Sequence, residues 1–113
     1  MRTVTDVEEA ITERFFITIR ELVQRRVMRG LQTFTKRYNL NYGNMNTLMN
    51  HRGNHGVKTD MLAYLAKDYG VSCEWLLLGR GEIFTEKSQA REREHLYFAK
   101  VHSASDVYGM EQP

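Results

Sequence analysis

The side chains with chemical potential in this chain are cations and amides. Between Leu22 and Thr59 there is no Asp or Glu, while Arg25, Arg26, Arg29, Lys36, Arg37, Arg52 and Lys58 supply seven positive charges, with His51 and His55 beside them. A field of one sign over that length suits a polyanion, because every phosphate it neutralises releases condensed counterions. A solvated basic face with no ligand has the same composition, and the charge run alone does not separate the two. His51 and His55 stand four apart, a spacing that on a helix can clamp a metal. Gly53 interrupts them and no third ligand is near, so no metal is expected. Cys73 is the sole cysteine, which excludes an internal disulfide and leaves a thiolate metal site without its other ligands; the thiol is expected to be a buried small hydrophobe. No glycine-rich phosphate loop, paired-carboxylate motif or flanked nucleophile stands out. The expectation is therefore a protein that is not an enzyme, with no cofactor and no small-molecule ligand.

The elements that must position these residues read as helices. With 42% hydrophobic and 27% charged residues the 113-residue chain can build one core, with length left for an arm or tail, and it is too apolar to be wholly disordered. The one proline is Pro113, and strand-like alternation is lacking, so an all-α fold is expected. No run approaches the roughly 20 apolar residues of a membrane span, and the start lacks a signal peptide's apolar region. A cytoplasmic protein without membrane contact is the expectation.

Thr5 to Glu8 has the capping-box pattern, so a long first helix should begin there. Its apolar stripe is Val7, Ile11, Phe15, Ile19 and Leu22/Val23, widened by Phe16 and Val27, and it is expected to reach about Met28, with Gly30 as its stop. A short helix follows from Leu31, with Phe34 and Tyr38 inward, ending near Asn39, which tolerates the positive φ of a sharp turn. Asn41 should cap the next helix, Tyr42 to about His51, with Met45, Leu48 and Met49 on its inner side and an uncharged polar outer face. After a loop over 52–56, a fourth helix is expected from Thr59 to a stop at Gly70. Ser72 should cap a fifth, Cys73 to Leu78, closed by Gly79 and Gly81, with Trp75 in the core. From 85 onward lies a charged tail, helical or mobile, with one apolar patch at Leu96-Tyr97-Phe98.

Two short helices joined by a tight turn, the second polar outside and the surroundings basic, are what reading a DNA major groove demands. That groove is about 12 Å wide and accepts a single helix. At these residues the chain resembles the phage-repressor (Cro/cI, or XRE) class of helix-turn-helix regulators. The resemblance covers about Arg25 to Phe84. It rests on the run from Leu31 to Asn41 (LQTFTKRYNLN) and, more specifically, on the close from Tyr69 to Gly79 (YGVSCEWLLLG), continued by Gly81-Glu82-Ile83-Phe84. It implies a five-helix, lambda-repressor-like helix-turn-helix domain over 25–84, preceded by a first-helix segment over 1–24, packed on the domain or in a dimer interface, and followed by a tail over 85–113. Position by position, Asn41, Tyr42, Gly43 and Thr47 fall where family members contact bases. Asn44, also assigned to bases, and Asn46 and Asn50, assigned to phosphates, complete the helix. Arg25, Arg26, Arg29, Lys36, Arg37, Arg52 and Lys58 would hold phosphates. The family commonly has glycine where this chain has Asn39, alanine where it has Thr35 and an acid where it has Met49. Tyr42 can equally cover a neighbouring helix, the asparagines can be ordinary solvated residues, and Gly43 can be a tolerated glycine rather than a point of close backbone approach.

The expected function is a sequence-specific double-stranded DNA-binding transcriptional regulator, of phage or mobile-element repressor type. A homodimer is expected because one recognition helix reads only a few base pairs; the first helix or the tail would form its interface. The alternative is a protein-interaction module, or an antitoxin-like adaptor, on the same scaffold.

Overall fold

The computed structural model describes residues 4–50 and 55–89. They form α1 (Asp6–Gln24), α2 (Leu31–Arg37), α3 (Tyr42–Asn50), α4 (Thr59–Tyr69) and α5 (Cys73–Leu78), and residues 86–89 are again helical. Among the described residues there is no strand, only a single antiparallel bridge between Val71 and Phe84, and the fold is all-α. No helix among them is long and apolar enough to cross a membrane.

Capping side chains set where the helices start. Thr5 Oγ1 accepts the Glu8 amide at 3.1 Å, with Asp6, Glu8 and Glu9 in the first turn of α1, where carboxylates suit the positive end of the helix dipole. Asn41 Oδ1 accepts the Asn44 amide at 2.8 Å, and Ser72 Oγ accepts that of Trp75 at 3.2 Å. The ends are set by left-handed residues. Gly70 (φ 68°) closes α4, Gly79 (φ 71°) closes α5, and Asn39 (φ 56°) follows α2. At Asn39 the Leu40 amide reaches back to the Thr35 carbonyl at 2.8 Å, which turns the chain sharply into α3.

The first helix ends earlier than its hydrophobic pattern predicts. It stops at Gln24 rather than near Met28, because Arg26 adopts the left-handed conformation (φ 62°). Its amide then bonds the Val23 carbonyl at 3.0 Å, and the Val27 amide bonds that of Leu22 at 2.9 Å. These two bonds are the Schellman closure usually built on glycine. Gly30 is not a stop; it sits in extended conformation at the N-cap of α2. The early turn leaves Val27 52% exposed and sends Met28 into the core instead.

That core is arranged around α1. Phe15 is fully buried, edge-on to Phe16 (5.0 Å between centroids) and to Phe34 of α2 (5.4 Å). Leu22, Leu65, Val71 and Leu76 are almost completely buried around them. The apolar face of α1 from Phe15 to Leu22 is thus packed within the chain. Arg14 of α1 donates from Nε to the Leu76 carbonyl at 2.9 Å and from an Nη to that of Leu77 at 3.0 Å, satisfying carbonyls that the six-residue α5 leaves open. Trp75 is half-buried rather than in the core, its indole N–H donating to Thr18 Oγ1 at 3.1 Å.

Three further expectations are corrected. Val7 lies before the packed part of α1 and is 66% exposed. Cys73 is exposed, because the first residue of α5 faces outward. Met49 is 38% exposed, on the flank of α3 beside Tyr42. At the C-terminal end, the Ser72 amide bonds the Ile83 carbonyl at 2.7 Å and the Thr85 amide bonds that of Gly70 at 2.9 Å. These bonds lay the 83–85 segment along the α4–α5 connection. From residue 90 onward the tail, Leu96-Tyr97-Phe98 included, lies outside the described residues.

Candidate nucleic-acid interface

Met45 and Leu48 anchor α3 in the core, so the residues opposite them on the helix face solvent. Asn41, Tyr42, Gly43, Asn44, Thr47 and Asn50 are exposed, and Asn46 is half-buried. The structure therefore gathers all five residues assigned to base reading on one short helix and its cap. It also divides their roles. The Oδ1 of Asn41 is committed to capping, leaving only its amide N–H groups for a ligand. The Asn50 side-chain amide donates to the Asn46 carbonyl at 3.1 Å, so these two hold each other along the helix. Tyr42, Asn44 and Thr47 keep their side-chain polar groups free of described partners. Gly43 has the Asn41 Oδ1 3.2 Å from where a Cβ would stand, so a side chain there would press on the cap.

Alongside α3 runs a groove of about 610 Å³. One wall is Asn41, Asn44 and Thr47; the other is His55, Gly56, Lys58 and Asp60 at the start of α4; the floor holds Leu40, Met45, Leu48 and Met61. Sequence reasoning did not assign Asp60, which places a carboxylate on the rim. Lys58 is the N-cap of α4; the Met61 amide bonds its carbonyl at 3.1 Å, no side chain caps the helix, and the lysine ammonium has no described partner.

The cations separate into two groups. Arg26, Arg29, Lys36 and Lys58 are exposed with no described side-chain partner. The backbone amide of Arg29 bonds Thr33 Oγ1 at 3.1 Å, which fixes that residue at the start of α2 while leaving its guanidinium free. Arg25 is tied down: its Nε meets Glu21 at 3.0 Å and its guanidinium lies 4.4 Å over the Phe84 ring. Arg37 is likewise engaged, donating to the Tyr69 hydroxyl at 3.2 Å and standing 3.7 Å from Asp68. The bond to Tyr69 and the nearby oxygens raise its pKa. Burial, and then the hydroxyl's hydrogen bond to Asp68, push the Tyr38 phenol well above its ordinary range; its ring stacks flat on Tyr64 at 4.0 Å. Arg37 thus acts first as a fastener between α2 and α4, and Arg25 as one between the end of α1 and the Phe84 segment. Arg52 and His51 lie outside the described residues. Among the described ones, no three His, Cys, Asp or Glu side chains gather to hold a metal ion.

No family model, curated protein or solved structure matches the chain. The outer side of α3 is an uncharged face with free hydroxyl and amide groups; Lys58 lines the groove beside it, and further cations without described partners stand on the turn after α1 and on α2.

Proposed function

We propose that this chain is a sequence-specific double-stranded DNA-binding transcriptional regulator, of phage or mobile-element repressor type, in which α2, the Asn39 turn and α3 form a helix-turn-helix. The observation that carries the reading is the uncharged, exposed outer face of α3 with Lys58 lining the same groove, in a stretch whose exposed Arg26, Arg29 and Lys36 also have no described side-chain partner. A helix entering a major groove needs groups that can match the donors and acceptors of base edges, which amide and hydroxyl side chains supply, and cations that hold the backbone phosphates. Tyr42, Asn44 and Thr47 would read bases, with the Asn41 amide; the four free cations would fix the register. A homodimer is part of the proposal, since a single α3 spans only a few base pairs.

The test is a fluorescence anisotropy titration of a mixed-sequence duplex pool at several salt concentrations, followed by selection of the bound fraction. Four phosphate contacts per subunit predict a log–log slope of about −3.6 per subunit. Selection should return a palindromic consensus. Salt-insensitive binding, or none, removes the proposal. An interaction module for an acidic protein would draw on the same cations, and a duplex pool that stays unbound at low salt would favour it.

A further inference from the structure

The wall of the groove opposite α3 is a loop, and its backbone is fastened from below. Thr12, in α1, is completely buried. Its Oγ1 donates to the Glu8 carbonyl at 3.0 Å and accepts the Val57 amide at 3.0 Å, a bond spanning 45 positions of sequence. One residue before Val57, Gly56 passes so close to α1 that a Cβ on it would stand 2.9 Å from Glu8 Cγ. One residue after it is Lys58, which starts α4 and lines the groove. The backbone between Gly56 and Lys58 is thus held to the first helix by one buried hydroxyl, with the Glu8 side chain lying against Gly56. A partly buried amide without a partner is unfavourable, so removing the hydroxyl frees this segment to seek another arrangement.

We propose that Thr12 is a positioning residue for DNA binding: through the Val57 amide it sets the height of the 55–58 wall and so brings Lys58 to a phosphate while α3 occupies the groove. The inference rests on the DNA-binding reading above, and its failure is separable from that of the reading. The full chain is compared as wild type, Thr12→Val and Thr12→Ser, using a labelled mixed-sequence duplex pool across a salt series together with hydrogen exchange at the Val57 amide. Thr12→Val, nearly the same shape without a hydroxyl, is expected to expose the Val57 amide to faster exchange. It should weaken binding about tenfold and flatten the salt slope by about 0.9, the share of one phosphate. Thr12→Ser should restore all three. Lys58→Ala should flatten the slope by the same amount in the wild type and by nothing further in Thr12→Val.

Wild-type affinity and slope in Thr12→Val, or no recovery in Thr12→Ser, would overturn the assignment. A wild type that binds no duplex overturns the DNA reading and this role with it, and is told apart because Val57 exchange still answers to Thr12. Should Thr12→Val fail to fold, Thr12→Ala removes the same hydroxyl without adding a second methyl, and unchanged binding there overturns the proposal equally.

Discussion

Arg26 occupies a left-handed position where glycine would sit at no steric cost, and it does so at a helix end whose carbonyls are closed by its own amide and that of Val27. For a residue with a Cβ this conformation costs about 1 kcal/mol. Arg26→Gly is therefore expected to raise stability by about 0.5 kcal/mol, part of the gain being lost to glycine's freer unfolded chain, and to flatten the salt slope of DNA binding by about 0.9. Denaturant midpoints and anisotropy read the two effects separately. A variant that is both less stable and equally tight on DNA would deny the arginine its role as a phosphate contact. Tyr38 carries a second residue-scale expectation. Burial and the bond to Asp68 raise its folded pKa above the ordinary 10.0. The unfolded chain then releases the phenolic proton first, so the stabilisation is complete below pH 10 and is lost as pH rises beyond it. Tyr38→Phe keeps the stack on Tyr64 and should flatten the alkaline decline seen in urea midpoints; an unchanged decline would mean that Tyr38 does not report it.

Among the elements, α5 depends most on groups outside itself, because six residues make too few internal hydrogen bonds to persist alone. Ser72 closes its start, Gly79 its end, and Arg14 takes two of its last carbonyls. Arg14→Leu keeps bulk near α1 but leaves those carbonyls unmet. The expected cost is about 1–3 kcal/mol, measured by chemical denaturation, with the far-ultraviolet helix signal retained at low temperature. Helix starts were legible in the sequence wherever a short polar side chain could cap the helix, as at Thr5, Asn41 and Ser72, and ends were legible at Gly70, Gly79 and Asn39, whose types favour positive φ. The end of α1 was not, because Arg26 takes that conformation against its type, and Gly30 offered a decoy. The neutral face of α3 could be read from residue types alone. The withdrawal of Arg25 and Arg37 could not, since it depends on Phe84, Tyr69 and Asp68, which only the folded chain brings near. Nor did any periodicity distinguish Thr12 from an ordinary helical threonine.

For the molecule as a whole, the division of the cations makes a joint prediction. Alanine at Arg26, Arg29 or Lys36 should each reduce the salt slope by about 0.9 and change stability little, whereas alanine at Arg25 or Arg37 should lower stability and leave the slope nearly intact. Anisotropy and melting of the same five variants decide it; equal slopes for both groups would mean that partnering inside the fold does not govern which arginines reach phosphate. Trp75, the chain's one tryptophan, adds a further consequence. Its indole N–H ends on Thr18, in the seam where α1 meets α5. Tryptophan emission is consequently an optical gauge of that seam, while circular dichroism sums all the helices. If α1 and the bundle it fills melt as one unit, the two denaturation curves superimpose. If the fluorescence curve leads, the seam between α1 and α5 opens before the helices melt, and unfolding begins at that seam.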